Sequence, residues 1–273
     1  MNHPAIGPGK IAVVTGAGDG IGRAAARSFA ALGMTVVLAD YDTAKLDAAA
    51  AELGDRAVAV PTDVSDCSSV ADLASRVEGL GPVSVLMNNA GVGGGGDALS
   101  NPDGWTRVLG TNLIGVLNGV QAFVPAMVDG DAPGLVINTG SKQGITQPPG
   151  DTAYNVSKAG VRALTEGLAH TLHDKTGGRV SAHLLIPGFT YTGMIARHLP
   201  ECPPAAWTPE QVVEVMLAGI ARGSFYLWCL DNQTTQDMDA KRMLWHVGDI
   251  IEGRPALSRW HPDWKDAFSL YME

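Results

Sequence analysis

The segment Thr152-Ala153-Tyr154-Asn155-Val156-Ser157-Lys158 sets a phenol and an ammonium four positions apart. On a helix that spacing brings both side chains to one face, with a rise of about 6 Å between them. A phenol keeps its proton until pH ~10, and a positive neighbour favours the phenolate. Tyr154 beside Lys158 can therefore act as an acid/base group near neutrality. The same spacing also suits an ordinary solvated face, so the rest of the chain has to separate the two readings.

The elements that would position this pair are legible as a rhythm. Short β-branched runs at 11–15, 35–40, 56–60, 83–88, 135–138 and 180–186 alternate with helical stretches near 20–32, 43–53, 67–79, 105–128 and 153–174. A further helix near 209–221 precedes a last strand within 225–230. Strand, helix, strand units of this kind build a parallel sheet, and right-handed crossovers place helices on both of its faces. The predicted fold is α/β: a doubly wound, Rossmann-type parallel sheet of about seven strands forming a single domain over 1–230. Residues 188–222, rich at their start in Pro, Gly and aromatics, form a substrate loop and lid. The tail 231–273 carries Trp245, Trp260 and Trp264 and is too aromatic for a disordered end. It is expected to pack on the domain or on a neighbouring subunit.

Composition narrows the function. The chain has 273 residues, 45% of them hydrophobic, enough for a sizeable core, and a formal net charge of -9. An acidic protein is attracted neither to nucleic acid nor to an anionic membrane surface. No apolar window of membrane-spanning length is apparent, and the N-terminus lacks a hydrophobic signal region. Cys67, Cys202 and Cys229 are far apart, with no C-x-x-C pair, as in a protein of the reducing cytoplasm. His170 and His173 share a helix face without a third ligand at metal spacing, so no metal site is predicted.

The first strand runs into Thr15-Gly-Ala-Gly-Asp-Gly-Ile-Gly22 and then a small-residue helix. Gly16, Gly20, Ile21 and Gly22 form a turn that lets backbone approach a diphosphate, and the helix N-terminus adds N–H donors and a positive dipole end. A packing turn would use the same glycines, yet the strand-to-helix context is the one dinucleotide binding requires. Asp40, followed by Tyr41, ends the second strand about twenty residues on, where a carboxylate accepts hydrogen bonds from ribose hydroxyls. A 2′-phosphate would meet Asp40 as a like charge, and Asp19 adds a further negative group in the glycine turn, so the expected cofactor is NAD. Capping of the next helix is the competing role for Asp40.

The sequence resembles the short-chain dehydrogenase/reductase family in its form of roughly 250 residues. The resemblance rests on Thr15–Gly22, Asp63-Val64, Asn88-Asn-Ala-Gly91, Asn112, Ser141, Tyr154-Asn-Val-Ser-Lys158 and Pro187-Gly-Phe-Thr-Tyr-Thr192, in order and from about 9 to 192. It implies a catalytic set of Asn112, Ser141, Tyr154 and Lys158. Tyr154 would be the general base in alcohol oxidation and the general acid in ketone reduction. Ser141 would hold the substrate oxygen, with a turn-forming serine as the alternative. Lys158 would lower the phenol's pKa and bond the nicotinamide ribose. Asn112 would hold a water linking Lys158 to solvent, or be a satisfied structural amide. The resemblance also implies cofactor contacts from Asp63, Val64, Asn89, Ala90, Gly91, Pro187, Gly188, Thr190 and Thr192, and assembly as a homodimer or homotetramer through 105–128 and 153–174.

Gly93, Gln143, Pro149, Phe189, Tyr191, Met194 and Ile195 are expected to shape the substrate site. The set is largely apolar and favours a hydrophobic, cyclic or aromatic secondary alcohol or ketone. Lys142 and Gln143 depart from the family's small residues beside Ser141 and are read as possible polar contacts to that pocket. Two other functions fit the same motifs: a non-catalytic NAD-binding scaffold, and an epimerase or dehydratase in which bound NAD assists. Intact Ser141, Tyr154 and Lys158 weigh against the first.

Overall fold

Neighbouring residues of a strand point to opposite faces of a sheet, so a strand covered on both faces must be apolar throughout. The first strand is such a run: Ala12 and Val14 pack with one layer of helices, Ile11 and Val13 with the other. In the computed structural model, which describes residues 3–273, seven strands form one sheet: β1 (Ile11–Thr15), β2 (Thr35–Asp40), β3 (Ala57–Pro61), β4 (Val83–Asn88), β5 (Gly134–Thr139), β6 (Val180–Ile186) and β7 (Tyr226–Trp228). All pairs are parallel, in the order β3-β2-β1-β4-β5-β6-β7. The sheet of the sequence reading is present, and each of its expected strands begins and ends within a few residues of the observed one.

The helices are α1 (Gly20–Ala31), α2 (Thr43–Leu53), α3 (Cys67–Glu78), α4 (Pro102–Leu109), α5 (Gly115–Asp129), α6 (Gln143–Thr146), α7 (Thr152–Thr176), α8 (Gly193–Ala196), α9 (Pro209–Ala221), α10 (Gln236–Ile251) and α11 (Lys265–Met272). Several starts are written in the sequence as capping residues. Asp19, Asp42, Asp66, Asn101, Asp151, Thr208 and Thr235 each accept a backbone N–H of the helix they precede. One apolar layer combines Phe29, Leu46, Val212, Val213, Met216 and Ile220 from α1, α2 and α9. The other combines Val70, Leu73, Val77, Phe123, Val124, Met127 and Leu172 from α3, α5 and α7. Strand order reverses between β1 and β4, and the crevice at their carboxyl ends is where such sheets bind ligands.

One expectation needs correction. Pro102–Asp129, in which a π-helical turn at Gly110–Ile114 joins α4 to α5, is long and apolar enough to cross a membrane by length and composition. Its Val108, Val116, Phe123, Val124 and Met127 are buried against the sheet, so its hydrophobicity is that of a core helix. Cys67 and Cys202 are exposed, while burial pushes the Cys229 thiol up to about 12.

The tail forms α10 and α11, with a small core of its own. The Arg254 guanidinium lies 4.0 Å from the Trp245 ring centroid and pairs with Asp249 at 3.1 Å. Phe268 and Tyr271 close on the same ring at 5.3 and 5.0 Å between centroids. The Trp245 indole donates to Ser258 Oγ at 2.7 Å.

At the far side of the sheet, His183 on β6 shares Ser181 Oγ (3.1 Å) with His3 (3.5 Å), and its Nδ1 meets the Ser224 carbonyl at 2.8 Å. Burial first, and for His3 also the neighbouring His183, hold both imidazoles below the usual 6.5. The folded state thus keeps them neutral where the unfolded chain would take up protons. The associated stability is present above pH 6.5 and is lost as pH falls from there through the lowered folded values. The midpoint of thermal unfolding of the wild type should fall below that pH, and His183→Gln should flatten the decline; an identical pH slope in the variant would refute the assignment.

Candidate active site

The carboxyl ends of β1, β4, β5 and β6 bring together segments separated by more than a hundred residues. After β1, the glycine turn leaves no space for side chains. A Cβ at Gly16 would lie 2.8 Å from the Ala90 Cα, and one at Gly22 would overlap the Gly16 carbonyl oxygen. Beside them, the first turn of α1 has N–H groups with no carbonyl one turn earlier to bind. Backbone that close and donors that free fit a dinucleotide diphosphate. Asp40 accepts Gly18 N–H at 2.9 Å and Asp42 N–H at 3.0 Å. Its carboxylate is therefore anchored at the edge of the same turn, next to exposed Tyr41.

Asp19 does more than add charge. It caps Gly20 at 2.7 Å, pairs with Lys45 at 2.6 Å, and accepts the Gly193 N–H of the substrate loop. Burial opposes ionisation of Asp19, and the Lys45 and backbone hydrogen bonds overcome it, leaving the carboxyl below its ordinary value. Thr192 reaches the same turn, since a Cβ on Gly20 would lie 2.9 Å from the Thr192 methyl.

After β4, Asn89 and Ala90 donate backbone N–H groups to Thr15 Oγ1 at 2.9 and 3.1 Å. The Asn89 amide is committed to the Thr15 carbonyl and to Thr139, so this residue shapes the crevice through its backbone. Asn112 lies in the π-helical turn with no exposure. It accepts Val92 N–H at 2.8 Å and donates to the Val92 carbonyl at 2.9 Å and to Ser157 Oγ at 3.1 Å. Both amide protons are spent, and one lone pair of Oδ1 remains. Asp63 is exposed and binds Ser65, while Val64 is buried against Gly115.

Ser141 follows β5, and its hydroxyl lies near enough to the Tyr154 phenol of α7 to lower its pKa. Lys158, one turn on and 4% exposed, donates to the Thr139 carbonyl at 2.8 Å and lies 5.7 Å from the Tyr154 ring centroid. The electrostatics differ from the sequence expectation. Burial raises the phenol's pKa, the Ser141 hydrogen bond lowers it, and Asp151 raises it again. Burial also brings Lys158 down to about 8. With the Lys158 ammonium donating to the Thr139 carbonyl, burial dominates, and in the polypeptide alone the phenol is held above its ordinary value.

After β6, Pro187 and Thr190 are buried, and Thr190 Oγ1 donates to Gly188 O at 3.3 Å. The loop returns on itself through Tyr191 N–H to Trp207 O (2.8 Å) and Trp207 N–H to Phe189 O (2.9 Å). Met194 Sδ would lie 3.7 Å from a Cβ on Gly93, so these two predicted substrate residues face one another. Others are not brought there. The Tyr191 phenol binds the Leu199 and Pro200 carbonyls of its own loop. Gln143 is exposed, and Pro149 shares a groove with Thr152, Asn155, Val156 and Leu257, on the face of α7 away from Tyr154.

Lys142 is a further correction. Its ammonium stays beside Gly188, where a Cβ would lie 3.1 Å away, but is paired with Asp239 of α10 at 2.6 Å and Asp231 at 3.5 Å, two carboxylates that the tail supplies. Asp151 escaped the sequence reading, although an aspartate before Thr152 carries the mark of a helix cap.

A family model described as short chain dehydrogenase matches residues 10–202. The chain belongs to the short-chain dehydrogenase family. This short-chain dehydrogenase is 38% identical over 190 residues to a galactitol 2-dehydrogenase (L-tagatose-forming) of Cereibacter sphaeroides, covering 68% of this chain and 73% of the other. It is 38% identical over 188 residues to a meso-2,3-butanediol dehydrogenase of Serratia marcescens, with the same coverages of 68% and 73%. Among solved structures, a short chain dehydrogenase/reductase from Burkholderia phymatum in complex with NAD superposes with a TM-score of 0.81 at 34% identity, over 92% of this chain and 97% of that one. The fold and family make this protein an oxidoreductase that uses a nicotinamide cofactor.

Proposed function

We propose that this short-chain dehydrogenase transfers a hydride between a secondary alcohol or ketone and NAD, with Tyr154 as its general acid/base. The carrying observation is the Tyr154 phenol, near enough to Ser141 for that hydroxyl to lower its pKa and one turn from buried Lys158, at the sheet end that also bears the glycine turn. A bound nicotinamide supplies the hydride acceptor for oxidation and the donor for reduction. The chain's own residues handle the proton and the geometry. Ser141 holds the substrate oxygen, and Tyr154 takes the hydroxyl proton in oxidation or returns it in reduction. Lys158, charged below about 8, stabilises the phenolate when it forms. Gly16, Gly20, Ile21 and Gly22 hold the diphosphate, and Asn112 fixes Val92 at the crevice wall.

NAD is favoured over NADP because Asp40 is an anion anchored at the ribose end of the glycine turn. The nearest cation, Lys45, is paired with Asp19. Gly93 facing Met194, with Phe189 and Ile195 in the same loop, supports a substrate whose carbinol is flanked by apolar groups. The relatives named for galactitol and butanediol add that a second hydroxyl is compatible with related chains. The test is NADH formation with cyclic, aromatic and vicinal-diol alcohols, each repeated with NADP. We expect kcat/KM with NAD to exceed that with NADP about a hundredfold, a difference of two decades at about 1.4 kcal/mol each. Equal efficiency would remove the Asp40 argument, and no redox turnover on any alcohol would remove the function.

A further inference from the structure

The run Gly91-Val-Gly-Gly-Gly-Gly96 reads as a notably flexible stretch. Its backbone is instead almost wholly engaged. Asp151 Oδ2 accepts Gly94 N–H at 2.8 Å and Gly95 N–H at 3.3 Å, and Oδ1 accepts Gly96 N–H at 3.1 Å and Tyr154 N–H at 3.2 Å. The carbonyls are gathered from the other side: Arg107 donates to Gly93 O and Gly94 O at 3.1 and 3.2 Å, and Asn101 to Gly94 O at 3.2 Å. Ala153 N–H completes the seam on Gly96 O at 3.2 Å. Successive N–H groups converging on one anion make a concavity that only glycine can line here. Gly94 and Gly96 have φ of 78° and 85°, and a Cβ on Gly95 would overlap that of Ala153.

We propose that Asp151 is a positioning residue, whose carboxylate seats the glycine run against the first turn of α7 so that Gly93 and the Tyr154 phenol keep one separation. An N-cap needs only one acceptor for one or two N–H groups. Asp151 binds four, three of them from a segment more than fifty residues away. Helix capping alone does not require this. The catalytic consequence rests on the function proposed above. Misplacement by an ångström can cost about a hundredfold in rate, and the glycine wall has no side chains with which to hold itself.

The groups facing the phenol are few. Asp151 and Lys158 come from its own helix and Ser141 from the turn after β5, while Lys142 and Arg107 nearby are bound to carboxylates and carbonyls respectively. Asp151 raises the phenol's pKa. Removing its charge therefore moves the phenol limb of a pH–rate profile to lower pH.

Asp151→Ser separates the two roles, because serine caps a helix well yet is too short to reach three glycine amides. Hydrogen exchange on the whole protein should show the amides of 94–96 exchanging at least about tenfold faster in D151S, with β1 and β4 unchanged. Turnover of meso-2,3-butanediol or cyclohexanol, whichever the wild type oxidises, should fall about ten- to a hundredfold with NADH affinity retained. Its pH limb should move down in both D151S and Asp151→Asn. Should D151S fail to fold, D151N, which keeps a cap acceptor, carries the exchange measurement. Unchanged glycine exchange overturns the seat, and faster exchange with wild-type rate and pH profile overturns the positioning role. A wild type inactive on every alcohol refutes the proposed function instead, while the exchange result still decides the seat.

Discussion

Tyr154→Phe should abolish turnover, by at least about a thousandfold, while leaving NADH binding within about twofold of wild type. The substitution keeps the ring that lies 5.7 Å from Lys158 Nζ and removes only the oxygen that Ser141 meets. Nothing else in the crevice can replace it. Ser141 is a hydroxyl without a base of its own, and Lys158 is turned to the Thr139 carbonyl at 2.8 Å. Most residues expected to hold the cofactor are on other segments, in the glycine turn and after β2, β3, β4 and β6, and Lys158 is untouched by the substitution, so binding should survive. Steady-state rates in both directions, with NADH affinity followed by its fluorescence, measure the two quantities separately. Residual turnover within tenfold of wild type would end the assignment of Tyr154 as the proton-transfer group.

The second large effect is on stability. Asp239→Ala should destabilise the protein by about 3 kcal/mol, because it removes the carboxylate that Lys142 meets at 2.6 Å and leaves that largely buried cation with only the longer contact to Asp231 at 3.5 Å. The side chains of Lys142 and Asp239 are only 15% and 5% exposed, so water cannot take over the pairing. The Trp228 indole loses its acceptor at 3.1 Å, and Arg242 one at 3.4 Å. For a chain of this length the midpoint of thermal unfolding should drop by about 8 °C. Replacing both partners with apolar residues, Lys142→Met with Asp239→Leu, should recover only part of that loss, since Lys142 is no longer left without Asp239 but Asp231 and Arg242 each lose an ion-pair partner. A midpoint within a degree of wild type in Asp239→Ala would show that the tail is not fastened here. Because Lys142 adjoins Ser141, the same pair ties α10 to the turn that presents the candidate catalytic serine.

Much of this was visible in the residues alone, for physical reasons that act locally. A parallel sheet buried on both faces demands unbroken apolar runs, and those runs mark β1 through β6 without reference to any contact. The glycine turn is legible because close backbone approach and positive φ at Gly16 and Gly20, 64° and 51°, are open chiefly to glycine. Tyr154 and Lys158 are legible because four residues of helix put them on one face whatever surrounds them.

What surrounds a side chain is a different matter, since it depends on segments the sequence separates by tens to hundreds of residues. Lys142 reads as a pocket residue until the tail brings Asp231 and Asp239 to it. The phenol reads as acidified until the fold buries it, turns Lys158 towards Thr139 and sets Asp151 beside it, which leaves it protonated. The glycine run reads as loose until one carboxylate, from the helix that carries Tyr154, collects its amides. Local periodicity and backbone sterics determined the sheet, its helices and the residues able to do chemistry. The field at those residues was decided by tertiary structure alone, because burial and the distance between charges are properties of the assembled fold.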